Sequence, residues 1–168
     1  MAVEDVVVLV IDRDECDRRL AFPEVRALVA NLEGYGFRRV THVFLERLPW
    51  HEQLRTVAGS HLLVAAHGGG EGWAAVMARG GVLVELRLAD SSGCFKPYAK
   101  WVGVHRLPVD ALPPLRNASC FHSDSWGKKW FHIVPEWAAI KPAVDEAVRL
   151  LVSGEVPDTP SRPPQLPR

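Results

Sequence analysis

The chain has 168 residues, of which 48% are hydrophobic and 24% are charged, and its formal net charge at pH 7 is zero. This length and composition suit one globular domain with a hydrophobic core of its own. The neutral balance excludes a nucleic-acid binder that draws its affinity mainly from phosphate neutralisation. No apolar run approaches the roughly 20 residues that are needed to span a bilayer.

Strands and helices are predicted to alternate along the first two thirds of the chain. The continuous β-branched run Val6–Ile11 is typical of a strand that is buried on both faces. Pro23 starts a segment with helical spacing, and Gly34 ends it. The later predicted elements are strands at 39–45, 61–66, 82–86 and 105–109, and helices at 50–58, 73–78 and 95–102. This alternation predicts an α/β fold: a three-layer Rossmann-like domain with a mainly parallel sheet.

The C-terminal third is less regular. Residues 110–136 are rich in Pro, Ser and aromatic residues, and we expect an ordered excursion there because Trp126, Trp130 and Phe131 need burial. His105, His122 and His132 do not have the spacing of metal ligands, with or without Cys120.

A final helix is predicted to begin at Pro142 and to end at Gly154. The domain is therefore expected to cover residues 1–154. The Pro-rich segment 155–168 is expected to be a disordered tail.

A histidine and a glycine cluster, HGGGEGW at 67–73, directly follow the third predicted strand. Ligands of parallel α/β sheets bind beyond the carboxyl ends of the strands, and helix N-termini attract phosphate. Glycines let the backbone come close to a ligand and adopt positive φ. The segment therefore predicts a cradle for a phosphate or diphosphate. The alternative is a turn that serves only tight strand–helix packing, since the pattern is neither G-x-G-x-x-G nor a P-loop.

The segment 44–86, FLERLPWHEQLRTVAGSHLLVAAHGGGEGWAAVMARGGVLVEL, resembles the signature of glycosyltransferase family 61. The matching features are Glu52-Gln53 in a helix, the turn His67–Gly70, the pair Gly80-Gly81 and the strand Val82–Leu86. Flanking matches at 8–20 and 98–104 extend the resemblance to about residues 5–110.

The resemblance implies the C-terminal, donor-binding half of a GT-B enzyme, in which two Rossmann-like domains enclose the active site. The implied donor-binding residues are Arg13, Arg18, His67, Gly68, Gly69, Gly70 and Glu85. His67 and the glycine amides would face the donor diphosphate, the two arginines would neutralise it, and Glu85 would bind a ribose hydroxyl. For three of these residues alternatives stay open: Arg13 as a solvated loop charge, His67 as a histidine that caps the turn, and Glu85 as a partner of Arg87.

This sequence departs from the family pattern in two ways. Glu71-Gly72-Trp73 replaces the family's Leu-Thr-Asn, which places a carboxylate next to the expected cradle. The acceptor-binding half, which normally supplies the catalytic base, does not fit in a chain of this length, so no catalytic residue is assigned.

The expected function is glycosyl transfer from a nucleotide-sugar, in particular a UDP-sugar, to a carbohydrate or glycoconjugate acceptor, without a metal or other cofactor. The alternative is a non-catalytic domain that binds a nucleotide or a partner protein. In both cases the chain is expected to associate with a partner domain or to form a homodimer. The expected location is the cytoplasm for the chain as printed, or the Golgi or ER lumen for a fragment of a longer eukaryotic chain.

Overall fold

The computed structural model describes residues 1–13, 19–22, 24–88, 95–110, 112, 114–115 and 132–158. The strands are β1 (Val7–Asp12), β2 (Arg39–Phe44), β3 (Leu62–Ala66), β4 (Val82–Leu86), β5 (His105–Val109), β6 (Pro114–Leu115) and β7 (His132–Ile133). The helices are α1 (Glu24–Glu33), α2 (Trp50–Ala58), α3 (Phe95–Val102) and α4 (Trp137–Ser153). Short 3₁₀ helices cover Val3–Asp5, Leu45–Arg47 and Gly69–Val76.

The first five strands form one parallel sheet in the order β2-β1-β3-β4-β5. The chain leaves β1 towards one edge of the sheet and returns to β3 on the other side of β1. Such a reversal of strand order opens a crevice at the carboxyl ends of the two strands. The predicted three-layer, Rossmann-like α/β fold is confirmed, and its reversal point lies between β1 and β3.

Two hydrophobic clusters cover the two faces of the sheet. Val10 and Val64 face α1 and α4, where Leu28 and Ile140 are fully buried. Leu63 on the opposite face belongs to a second cluster with residues of α2 and of the 3₁₀ helix Gly69–Val76. Every residue of β3 and β4 is buried because helices cover both faces. This double burial explains why both strands read as continuous apolar runs.

The predicted helix at 73–78 is a 3₁₀ helix that begins earlier, at Gly69. Its start could not be predicted from helix propensity, because glycine disfavours a helix interior. The early start places the whole glycine segment in the connection that directly follows β3.

The last helix begins at Trp137, five residues before the predicted start at Pro142. Pro142 lies inside the helix, where it removes one backbone hydrogen bond. Ile140 and Val144, four residues apart, are both fully buried against the sheet, and this packing offsets the lost bond. The predicted end is confirmed, because Gly154 caps the helix with a left-handed φ of 69°.

Only the two ends of the expected excursion at 110–136 are described. β6 and β7 pair in antiparallel fashion, and the backbone of Ile133 bonds with Arg19 and Ala21. Trp126, Trp130 and Phe131 lie outside the described residues. The structure describes residues 155–158 of the expected tail. The carbonyl oxygen of Glu155 lies 2.9 Å from Nε2 of His105.

His61 joins the amino ends of β1 and β3. The ring Nδ1 of His61 accepts a hydrogen bond from the backbone N–H of Val7 at 3.0 Å. The backbone N–H of His61 donates to the carbonyl of Val7 at 2.9 Å. Burial lowers the pKa of His61, because the charged imidazolium would lose hydration. A proton on Nδ1 would also remove the acceptor for Val7, a bond worth about 1 kcal/mol.

We expect the free energy of unfolding to fall as the pH drops below about 6.5, the usual histidine value. The unfolded chain then binds more protons than the folded one, so stability increases with pH in this window. His61→Asn keeps an acceptor but does not titrate, and should lose less stability than the wild type between pH 7.5 and 5. Urea unfolding of both proteins at the two pH values checks this, and equal losses would contradict it.

Candidate functional site

A buried histidine–carboxylate pair lies at the carboxyl end of the sheet. Nδ1 of His67, the first residue after β3, lies 2.5 Å from Oε1 of Glu85 in β4. The Glu85 side chain is fully buried, and that of His67 is 9% exposed. An ionised carboxylate only accepts hydrogen bonds, so the proton of this bond belongs to Nδ1. The bond therefore fixes both the orientation and the tautomer of the His67 ring.

Arg106 holds the other oxygen of the same carboxylate. Its Nη2 forms an ion pair with Oε2 of Glu85, and the arginine side chain is only 10% exposed. Because β3, β4 and β5 are parallel and in register, the three groups form a diagonal across one face of the sheet. Glu85 pairs with Ala65, two residues before His67, and Arg106 pairs with Leu83, two residues before Glu85. We call the row Arg106–Glu85–His67 the diagonal chain.

Arg87 also faces Glu85. Its Nε lies 3.8 Å from Oε1 of Glu85, and its Nη1 lies 2.7 Å from Oδ1 of Asp110. This is the Glu85–Arg87 pairing that the sequence left open as an alternative. With two guanidinium groups close to it, the Glu85 charge is compensated within the protein.

The backbone turns sharply directly after His67, at Gly68. Gly68 has φ 135° and ψ −153°, a conformation that L-residues with a side chain rarely adopt. The N–H of His67 donates to the carbonyl of Leu86 at 2.8 Å, and the Tyr98 hydroxyl donates to the carbonyl of Gly72 at 2.7 Å. The turn is therefore held to β4 on one side and to α3 on the other. Gly69 and Gly70 are the first two residues of the 3₁₀ helix.

Arg13 directly follows β1, the strand that pairs with β3 at the strand reversal. The register of β1 and β3 ends with Ile11 opposite Ala65, so Arg13 and His67 both lie two residues beyond it. Oδ1 of Asp12 accepts the backbone N–H groups of Arg13 and Leu20, each at 2.8 Å. Arg18, the other arginine that the family resemblance implies, lies outside the described residues.

Three features of this edge were not predicted from the sequence. They are the ion pair of Arg106, a 3.0 Å contact between Asp12 Oδ2 and His42 Nε2, and a contact between the rings of Trp50 and Trp73. A signal existed for Arg106, because an arginine inside a predicted strand needs an anion if it is buried. No sequence signal pairs the other residues, which come from different elements.

The described residues contain no group of three or more His, Cys, Asp or Glu side chains that could hold a metal ion. Within the same residues, no helix has the length and hydrophobicity required to cross a membrane.

Fold and site together define a Rossmann-like α/β domain with a candidate ligand site at the carboxyl edge of its sheet. A scan of the sequence against models of known protein families finds no match, and a search among curated proteins finds no significant similarity. The resemblance to glycosyltransferase family 61 therefore stays a prediction.

Gly68→Ala should destabilise the domain by about 1–3 kcal/mol, because a side chain at this positive φ is strained. Gly72→Ala is the matched control in the same segment, since a Cβ at Gly72 meets no atom within 4 Å. Urea unfolding measures both changes. Equal stability of Gly68→Ala and the wild type would show that the turn tolerates another conformation.

Glu85→Gln should cost about 3–5 kcal/mol, because it leaves the buried guanidinium of Arg106 without its counter-charge. Glu146→Gln removes a carboxylate from an exposed ion pair with Arg149, and should leave the unfolding midpoint nearly unchanged. Urea unfolding of both variants at pH 7.5 separates the two cases. A similar small effect of both substitutions would rule out a structural role for the Glu85 charge.

Proposed function

We propose that the domain binds a nucleotide-sugar and supports glycosyl transfer from it to an acceptor hydroxyl, as the donor-binding half of a family 61-like glycosyltransferase. One observation carries the proposal. A histidine fixed by a buried carboxylate directly precedes a positive-φ glycine and a helix start, at the point where the strand order reverses. This combination suits a diphosphate, which is anionic and needs close approach of the backbone.

The charges at this edge favour an anion. Arg13 directly follows β1, His67 directly follows the neighbouring strand β3, and the first N–H groups of the 3₁₀ helix follow Gly68. The carboxylate of Glu85 is fully buried and faces Arg106 and Arg87, so it repels a bound diphosphate little.

In the proposed reaction, the acceptor hydroxyl oxygen attacks the anomeric carbon while the bond from that carbon to the diphosphate oxygen breaks. The electron pair leaves with the diphosphate, and His67, Arg13 and the turn amides stabilise the added negative charge. The hydroxyl proton passes to a base for which we assign no residue. A partner domain would supply that base, so donor binding and transfer are separable.

Glu85 acts through His67 in this proposal. A hydrogen bond from a ribose hydroxyl to Glu85, as the family resemblance implies, would require the carboxylate to leave His67 and Arg106. The ribose contact stays a prediction, as does a phosphate contact by Arg18.

His67→Ala should weaken the binding of nucleoside diphosphates about 10- to 100-fold, because a hydrogen bond to a charged group is worth about 1.5–3 kcal/mol. Calorimetric titration with UDP, GDP, CMP, their sugar conjugates and NAD measures this effect. His105→Ala is the matched control, since His105 contacts Glu155 near the amino end of β5. Its affinities should equal those of the wild type.

The same titrations decide between the alternatives. No binding of any nucleotide by the wild type would overturn the proposal and leave the glycine turn an architectural feature. Binding of NAD alone would point to a dehydrogenase. Binding of a nucleotide-sugar with no transfer, even with a separately supplied acceptor half, would favour the non-catalytic alternative.

A further inference from the structure

Two tryptophans form an aromatic surface beside the glycine turn. The ring centroids of Trp50 and Trp73 are 5.2 Å apart, with an interplanar angle of 44°. Trp73 is partly buried against the cluster that contains Ala74 and Leu63, whereas Trp50 is 64% exposed. The partly buried ring thus supports an exposed one, and a large aromatic area faces solvent.

Both rings belong to segments that follow the carboxyl ends of strands. Trp50 is the first residue of α2, a few residues after β2, and Trp73 is the fifth residue of the 3₁₀ helix that begins at Gly69. A 3₁₀ helix rises about 2 Å per residue, so Trp73 lies about 8 Å along the axis from Gly69. A nucleoside diphosphate joins a planar base to its phosphates through one ribose, so its two ends can occupy neighbouring parts of one site.

We propose that Trp50 and Trp73 form the platform on which the base of a nucleoside diphosphate stacks while its phosphates lie over the glycine turn. The inference rests on the proposed function and names the second half of the same ligand site. It assigns to Trp73 a role at the position where the family pattern has Asn.

The chemistry of the platform favours a base over other occupants. An indole face accepts any aromatic base by stacking, which needs no hydrogen-bonding groups of fixed geometry. The apolar face of a sugar ring can also pack on an indole, and the comparison of UDP with a UDP-sugar separates that occupant from the base. Because every base has a π-face, the platform should contribute to the binding of all nucleoside diphosphates, with only modest preference among them.

The test compares Trp50→Ala with Trp101→Ala, which removes another exposed tryptophan, 46% exposed on α3. Calorimetric titrations use UDP, GDP, ADP and inorganic pyrophosphate, which lacks a base. Trp50→Ala should bind each nucleoside diphosphate about 10- to 100-fold more weakly than the wild type and should bind pyrophosphate equally well. Trp101→Ala should match the wild type with all four ligands. Thermal unfolding checks that both variants are folded.

The outcomes separate this inference from the proposed function. If His67→Ala weakens binding but Trp50→Ala leaves every nucleoside diphosphate affinity unchanged, the site stands and the platform is overturned. A UDP-sugar is titrated in the same way, and if Trp50→Ala weakens the binding of this sugar conjugate but not that of UDP, the platform holds the sugar and the inference is wrong. If the wild type binds neither pyrophosphate nor any nucleoside diphosphate, both proposals fail together.

Discussion

A carboxylate buried in the middle of the sheet is the constraint on which the carboxyl edge of this domain depends. Glu85 lies in β4, between β3 and β5, with helices over both faces. An uncompensated charge there would cost about 3–5 kcal/mol, which is a large share of the net stability of a domain. Arg106 and His67 each take one oxygen, and parallel register brings them to it along a diagonal. The position and tautomer of His67 therefore follow from the compensation of the buried Glu85 charge.

Hydrogen bonds within the protein hold this edge in place. The His67 ring is fixed through Nδ1, and its backbone N–H extends the bonding between β3 and β4 to Leu86. The hydroxyl of Tyr98 in α3 donates a hydrogen bond to the carbonyl of Gly72. The segment is therefore also anchored four residues after the positive-φ residue Gly68. In the proposed function, His67 and the turn amides would already point towards the charge that develops on the leaving diphosphate. They would then need no reorganisation during the reaction, and this preorganisation is the main source of electrostatic catalysis.

The sequence predicts the strands and the layers well, because β3 and β4 are continuous apolar runs bounded by turn residues. His67 and Glu85 could be singled out because each is a polar residue next to or inside such a run. The ion pair between Glu85 and Arg106 was harder to predict, because the two residues come together only through the register of β4 and β5. The contact between Trp50 and Trp73 depends on how two helical segments pack, which no local pattern encodes. The start of the last helix was missed because tertiary burial outweighs the local penalty of a proline.

The edge carries a second carboxylate–histidine pair, and the contrast with the first explains why we place the proposed ligand site at the diagonal chain. Asp12 lies on the face of α1, where one oxygen accepts two backbone N–H groups and the other contacts His42. Among the described residues, three donors share that charge, and two of them are backbone groups at Arg13 and Leu20. Glu85 receives no backbone donor among the described contacts; its partners are the side chains of His67, Arg87 and Arg106, of which His67 directly precedes the glycine turn. Asp12 therefore holds backbone segments together, whereas in the proposed function Glu85 orients a histidine towards a bound anion.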